Sequence, residues 1–334
     1  VYRVSPGWPG QAKDAVLAGD ISNSVAAQYG ILVMHAMDMY RVDVTCLTPA
    51  APKRLTDDGW RLLGYILGDD HLPFRSGPIQ AGGRQVCYGY IAQRNGELVV
   101  SIRGTDGLIE WLEDAEFLPA IYAPKVALPP GPPGVMVEQG FWSIFDTMVL
   151  TSAAGGDLGR LSVAIVALVN AEPAITEVTV MGHSLGGPLA SYLTLELARG
   201  EIGKRVSGCY FASPHPGNTA FATFFDTTVA NYRVFNYILD IVPRVPFGAD
   251  YAPLPRRTIL QPATAEASIA LEVGCNHHVI SYCAMLDYEE TQGVLTPVVP
   301  AGEEGSATCI LGPEVGKASL AKLLLTGIGE AIRA

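Results

Sequence analysis

Residues 177–199 read EVTVMGHSLGGPLASYLTLELAR, and their hydrophobic period changes halfway along. Val178, Val180 and Met181 predict a short buried strand, whereas Leu189, Tyr192, Leu193, Leu195 and Leu197 take the spacing of a helix. Between the two lies Gly182-His183-Ser184-Leu185-Gly186-Gly187. A strand that turns at once into a helix holds its middle residue in a cramped backbone conformation. Glycines two before and two after leave room for that turn and for the helix packed behind it. Ser184 is thereby set on a sharp bend at the positive end of a helix, which is how a serine is displayed as a nucleophile. The pattern G-x-S-x-G is short enough to arise by chance; the strand before it and the helix after it give it meaning.

A serine hydroxyl attacks at neutral pH only when a base takes its proton, and that base needs an acid to orient it. On strand–elbow–helix scaffolds the order along the chain is serine, acid, histidine. Of the six histidines, His35 and His71 precede the elbow, His183 lies inside it and is expected to point along the turn, and His215 is pinned between two prolines. His277 and His278 come late enough, on a loop entering a helix, and both stay open on this ground. The acid is expected where a strand ends between serine and histidine. Asp240 meets that condition in Tyr237-Ile238-Leu239-Asp240-Ile241-Val242-Pro243, while Asp226 falls inside a helix and Asp250 in an open loop.

GHSLGG at 182–187, ASPHPGN at 212–218 and YRVFNYILDIVPRVP at 232–246 resemble, in this order, signatures of the class 3 (fungal-type) lipase family. SIRGTDGLIEW at 101–111 and EQGFWSIF at 138–145 resemble two more. The resemblance spans roughly residues 85–290 and implies an α/β-hydrolase fold and hydrolysis of carboxylic esters, commonly acylglycerols. It puts the acid on Asp240. It favours His277 as the base, because many members carry a cysteine two residues before that histidine and a tyrosine five after, as Cys275 and Tyr282 stand here. The departures are Ser213 in place of a common glycine and a longer proline-rich loop over 123–134.

An oxyanion formed on the substrate carbonyl needs donors aimed at it. The elbow itself supplies one, the amide of Leu185; the resemblance puts the second on Thr105. Just beyond, Leu108, Trp111, Leu112 and Ala115 form one helical face and Glu110, Glu113 and Asp114 the other. In this family the corresponding short helix, here 105–118, is a lid over the site, and an apolar underside suits that task.

The rest of the chain supports an α/β fold. Strand (Val178–Met181), the helix carrying Leu189 to Leu197, strand (Val206–Ala212), helix (Thr219–Val229) and strand (Tyr232–Tyr237) predict a mostly parallel central sheet with helices on both faces. Arg84–Arg103 predicts a hairpin turning at Asn95-Gly96. Helices are expected from about Asp20, from about Thr56 to Gly68 (Trp60, Leu63, Ile66 and Leu67 forming the stripe), over Gln139–Leu150 and over Leu158–Asn170. Residues 1–19 read as an irregular arm, and the tail from Glu314 as a terminal helix. The 334 residues are thus expected to form one domain, with residues 1–70 as an N-terminal helical extension.

Composition narrows the partners. A formal net charge of −11 opposes nucleic acid and anionic membranes. No apolar run reaches the 18 or so residues of a membrane span, the longest candidate, Leu161–Val169, ending at Asn170. Hydrophobic residues are 49% and charged ones 16%, which suits a large core or an apolar surface for lipid contact. Six cysteines without C-x-x-C spacing argue against zinc, and neither a metal nor an organic cofactor is expected. The chain begins at Val1 without a basic-then-apolar leader or an initiator methionine, from which a removed leader and a secreted protein are expected. Disulfide pairing and oligomeric state stay open. The expected activity is that of a serine hydrolase on acyl esters, triacylglycerol first. The alternatives are a carboxylesterase, phospholipase A1 or feruloyl-type esterase, and, from another class, a catalytically silent lipase-like interaction protein.

Overall fold

The computed structural model describes residues 21–70, 84–105, 117–124, 126–200, 202–292 and 309–312. In chain order these form helices α1 (Asn23–Val42) and α2 (Lys53–Asp57), then strands β1 (Arg61–Asp69), β2 (Gln85–Arg94), β3 (Glu97–Ile102), β4 (Pro119–Ile121) and β5 (Met136–Glu138). Helix α3 (Gln139–Thr147), strands β6 (Val149–Ser152) and β7 (Asp157–Arg160) and helix α4 (Leu161–Ala171) follow. Next come β8 (Glu177–His183), α5 (Gly186–Arg199), β9 (Arg205–Phe211), α6 (Thr219–Thr228) and β10 (Asn231–Tyr237). The last are β11 (Arg257–Leu260), β12 (Ser268–Ile269), α7 (Val273–His277), α8 (Val279–Leu286), α9 (Tyr288–Gln292) and β13 (Ile310–Gly312).

Nine strands make one sheet in the order β11-β10-β9-β8-β3-β2-β1-β6-β7. From β11 to β3 every pairing is parallel; from β3 to β7 every pairing is antiparallel. The parallel block is the one the alternating strands and helices predict, and the hairpin at Asn95-Gly96 is present, with φ of 47° and 83° at its two turn residues. Both faces of the sheet are covered. Leu98, Val100, Ile102, Val178 and Val180 point into a core shared with α3, α4, α5 and α6, while Val99 and Met181 point into a second core shared with α1 and α8. Strands buried on both faces lose the polar alternation of a half-exposed strand and read as nearly continuous apolar runs.

That property explains the main correction. The helix expected from Thr56 to Gly68 is instead the short helix α2 followed by strand β1, which pairs with β2 on one side and β6 on the other. Leu63, Ile66 and Leu67 happen to be spaced like a helical stripe inside RLLGYILGD, yet the run is a strand buried on both faces over most of its length. The helical extension therefore does not reach residue 70. Two further expected helices are shorter than predicted. Gln139–Leu150 splits into α3 and β6, and Leu158–Asn170 into β7 and α4. The arm over 1–19 and the tail from Glu314 lie outside the described residues. Among the described residues no helix is long and apolar enough to cross a membrane.

Candidate active site

β8 and α5 meet with two residues between them, and Ser184 sits there at φ 56°, one of three described non-glycine residues with positive φ. Such a conformation costs about 1–3 kcal/mol and persists where its surroundings hold it. Here they hold it through backbone: the Ser184 N–H donates to the Phe211 carbonyl at 3.0 Å, and its own carbonyl accepts from the Gly187 N–H at 2.8 Å. The glycines are required by contact. A β-carbon on Gly182 would stand 2.1 Å from the Gly186 carbonyl oxygen, and one on Gly186 would stand 2.4 Å from that of Ile102. The amide of Leu185, at the start of the helix, belongs to the group of N–H donors that a helix leaves without internal partners.

Asp240 follows β10 by three residues and is 3% exposed. Its Oδ1 accepts the Val242 N–H at 3.0 Å, and its Oδ2 accepts two donors, His277 Nδ1–H at 2.8 Å and the Tyr282 hydroxyl at 2.7 Å. Of the two late histidines it is therefore His277 whose ring reaches the acid. His278 turns the other way and caps α8, its Nδ1 accepting the Ile280 N–H at 3.2 Å. With Nδ1 of His277 engaged by a carboxylate, Nε2 is left as the face for substrate chemistry. His277 Nε2 and Ser184 Oγ are both buried, and neither has a hydrogen-bond partner, so the structure does not close a bond between them. Such bonds often tighten only when substrate is bound.

Three supporting features were not read from the sequence. Tyr282, used there only as a spacing mark, joins Asp240 to β10 by accepting the Tyr237 N–H at 2.9 Å. Burial, and then the Asp240 charge, push its phenol well above the ordinary value, so it remains a donor. His183 does not simply follow the turn: its Nε2 lies 2.6 Å from the His277 carbonyl oxygen, and the two rings are 4.6 Å apart. Burial holds His183 well below the usual histidine pKa, so the ring is neutral and Nε2 carries the donated proton. Finally, Cys275 and Cys309 form a disulfide that ties α7, which ends at His277, to the segment leading into β13. Neighbouring aromatic or thiol types at those positions were the available signals, but spacing alone does not say what a side chain will reach.

Thr105 lies three residues past β3, half-buried, beside the elbow: the preceding Gly104 would bring a β-carbon to 2.9 Å from Ser184 Cβ. Leu108, Trp111 and Leu112, expected on a lid, lie outside the described residues. No group of three or more His, Cys, Asp or Glu side chains suited to a metal occurs among the described residues.

Sheet, helices and elbow together make an α/β-hydrolase fold. Solved structures of similar fold include the Rhizomucor miehei lipase in complex with its propeptide (TM-score 0.50, 20% identity, covering 70% of this chain and 67% of that one). The lipase of Rhizopus microsporus var. chinensis is similar as well (TM-score 0.50, 22% identity, 69% and 71%). Residues 99–249 match the family model for lipase (class 3). In sequence, the Rhizomucor miehei lipase is 27% identical over 208 residues, 60% of this chain and 53% of that protein. A rice protein named phospholipase A1-II 6 is 29% identical over 175 residues, 46% and 41%. The chain thus spans about half the length of these relatives.

Proposed function

We propose that the protein is a serine hydrolase of carboxylic acyl esters, with triacylglycerol as its preferred substrate class. Ser184 Oγ attacks the ester carbonyl while His277 Nε2 takes its proton. Asp240 fixes the imidazole tautomer and balances the charge that the ring then carries. The amides of Leu185 and Thr105 receive the oxyanion. Collapse expels the alcohol, which leaves with the proton from His277, and the acyl group stays on Ser184. Water, deprotonated by the same ring, attacks the acyl-enzyme and releases the carboxylic acid. The observation that carries this reading is the buried His277–Asp240 pair, its acid beyond the carboxyl end of β10 as a serine held at positive φ lies beyond that of the parallel strand β8. All of the described chain serves this one hydrolase domain, and a lid over 105–118 is part of the proposal.

Phospholipase A1 activity is the second reading, because the similar plant proteins bear that name. The test is hydrolysis of p-nitrophenyl butyrate, emulsified triolein and phosphatidylcholine vesicles by wild type and Ser184→Ala. Loss of such a nucleophile lowers turnover by about 10⁶. Activity on triolein that vanishes in the variant is expected. Preference for phosphatidylcholine moves the reading to a phospholipase, and activity on butyrate alone moves it to a soluble-ester esterase. Wild type and variant equally inert on all three would end the hydrolase proposal.

A further inference from the structure

Arg103 is 3% exposed, a guanidinium sealed inside the molecule two residues before Thr105. Arginine is seldom buried this far, because its charge must be met by something other than water. Carbonyls and rings meet it here. Nε–H donates to the Cys87 carbonyl at 2.8 Å, and the backbone N–H donates to the Tyr88 carbonyl at 2.8 Å, so the residue is fastened to β2. The guanidinium carbon stands 3.5 Å from the centre of the Tyr40 ring, a contact that draws α1 onto it, and 4.8 Å from that of Tyr88. Nη1 turns back along its own chain and donates to the Gly104 carbonyl at 2.7 Å.

The Gly104 carbonyl and the Thr105 N–H are the two ends of one peptide unit. That unit is planar and trans, so its C=O and N–H point in opposite directions. A group that fixes the oxygen therefore fixes the direction of the N–H. A charged donor does more. It draws electron density toward the oxygen and leaves the far N–H a stronger donor, as in any chain of coupled hydrogen bonds. Gly104 also packs directly on the nucleophile, where a β-carbon would meet Ser184 Cβ at 2.9 Å and the His183 carbonyl oxygen at 3.0 Å. The peptide held by Arg103 thus lies against the reacting serine.

We infer that Arg103 is a positioning residue for acyl transfer: through the Gly104 carbonyl it aims and polarises the Thr105 amide that receives the oxyanion. The inference rests on the hydrolase reading above. Tyr40 and Tyr88 then hold the clamp, and the oxyanion donor is built from three elements of the fold: α1, β2 and the end of β3.

The test compares a soluble ester with its thionoester, in which sulfur replaces the carbonyl oxygen. Sulfur accepts hydrogen bonds poorly, so a donor-built oxyanion site gives a large oxygen-to-sulfur rate ratio. Arg103→Met and Arg103→Lys are expected to lower kcat on the ester about tenfold or more, KM staying within about twofold, and to shrink the oxygen-to-sulfur ratio with it. Parallel losses on both substrates, the ratio unchanged, would assign Arg103 to fold support and overturn the inference. Should neither variant fold, Tyr40→Leu loosens the clamp while leaving the cation in place. A smaller ratio there supports the role, and an unchanged one overturns it. A wild type inert on both substrates brings down the hydrolase reading itself. A wild type that is active, and dependent on Ser184, with an unchanged ratio in the variants brings down only the role of Arg103.

Discussion

Ser184 reaches its place by local means and His277 by distant ones. The proposed nucleophile is positioned by a strand, a two-residue bend and a helix that follow one another over 177–199, and glycines packed against backbone leave the bend no alternative. The histidine sits between two short helices and is held from outside. Asp240 comes from 37 residues away, Tyr282 ties that acid to β10, His183 reaches across to the His277 carbonyl, and a disulfide anchors Cys275 to Cys309. One half of the site is specified by backbone sterics, the other by a network of side chains. The first is expected to fail all at once when disturbed, the second by degrees.

The sharpest break is expected at Gly186→Ala. Its β-carbon meets the Ile102 and Arg103 carbonyl oxygens at 2.4 and 2.6 Å, both backbone, so nothing flexible can yield. The variant should be insoluble or lose at least about 4 kcal/mol. Gly134→Ala is the control: that glycine has positive φ, which Gly186 does not, but meets nothing within 4 Å, and about 1 kcal/mol is expected. Denaturant midpoints give both values, and similar costs at the two sites would defeat the steric account of the elbow.

On the histidine side, Cys275→Ser removes the disulfide, whose sequence separation is 34 residues, and about 3–4 kcal/mol of stability is expected to go with it. A smaller effect is expected from acid. Burial, and then the Arg41 charge, lower His278 to about 4, while in the unfolded chain it titrates near its ordinary value of 6.5. Between those values the unfolded chain binds a proton that the folded one refuses. Stability is therefore lost as pH falls from about 6.5 to 4. His278→Asn keeps a capping side chain for α8 and is expected to narrow that loss by about 2 kcal/mol at pH 4, less than full burial would give because water reaches part of the ring. Melting curves of the two proteins that stay parallel from pH 7 to pH 4 would contradict this. The mildest change is Tyr282→Phe, which removes one of two donors to Asp240 Oδ2 and leaves the Tyr237 N–H without its acceptor. A drop of about tenfold in kcat and of 1–2 kcal/mol in stability is expected, read from kinetics and thermal melts.

The same contrast decides what could be read in advance. Ser184 and its surroundings were legible because their geometry is encoded within some twenty consecutive residues. Asp240 was legible because a strand end is a recognisable place. His277 and His278 were indistinguishable by local pattern, and the choice required a family resemblance, since what separates them is which ring turns toward a carboxylate from another part of the chain. β1 was misread for a related reason. A strand covered on both faces has no polar alternation to announce itself, and the partners that make it a strand, β2 and β6, lie elsewhere in the sequence. Arg103, within the motif that named Thr105, gave no sign of its burial between two tyrosine rings, one of them on α1.

The sheet changes from antiparallel to parallel pairing at β3, and β3 runs beside β8 in register, Ile102 opposite Gly182. Three residues beyond that pair, past the strand ends, are Thr105 and Leu185, whose amides are the two proposed oxyanion donors. Neighbouring strands are about 4.8 Å apart, so the segments that carry the two donors leave the sheet side by side. Because both donors are backbone N–H groups, exchanging side chains at 105 or 185 keeps them, whereas a proline at either position would remove one.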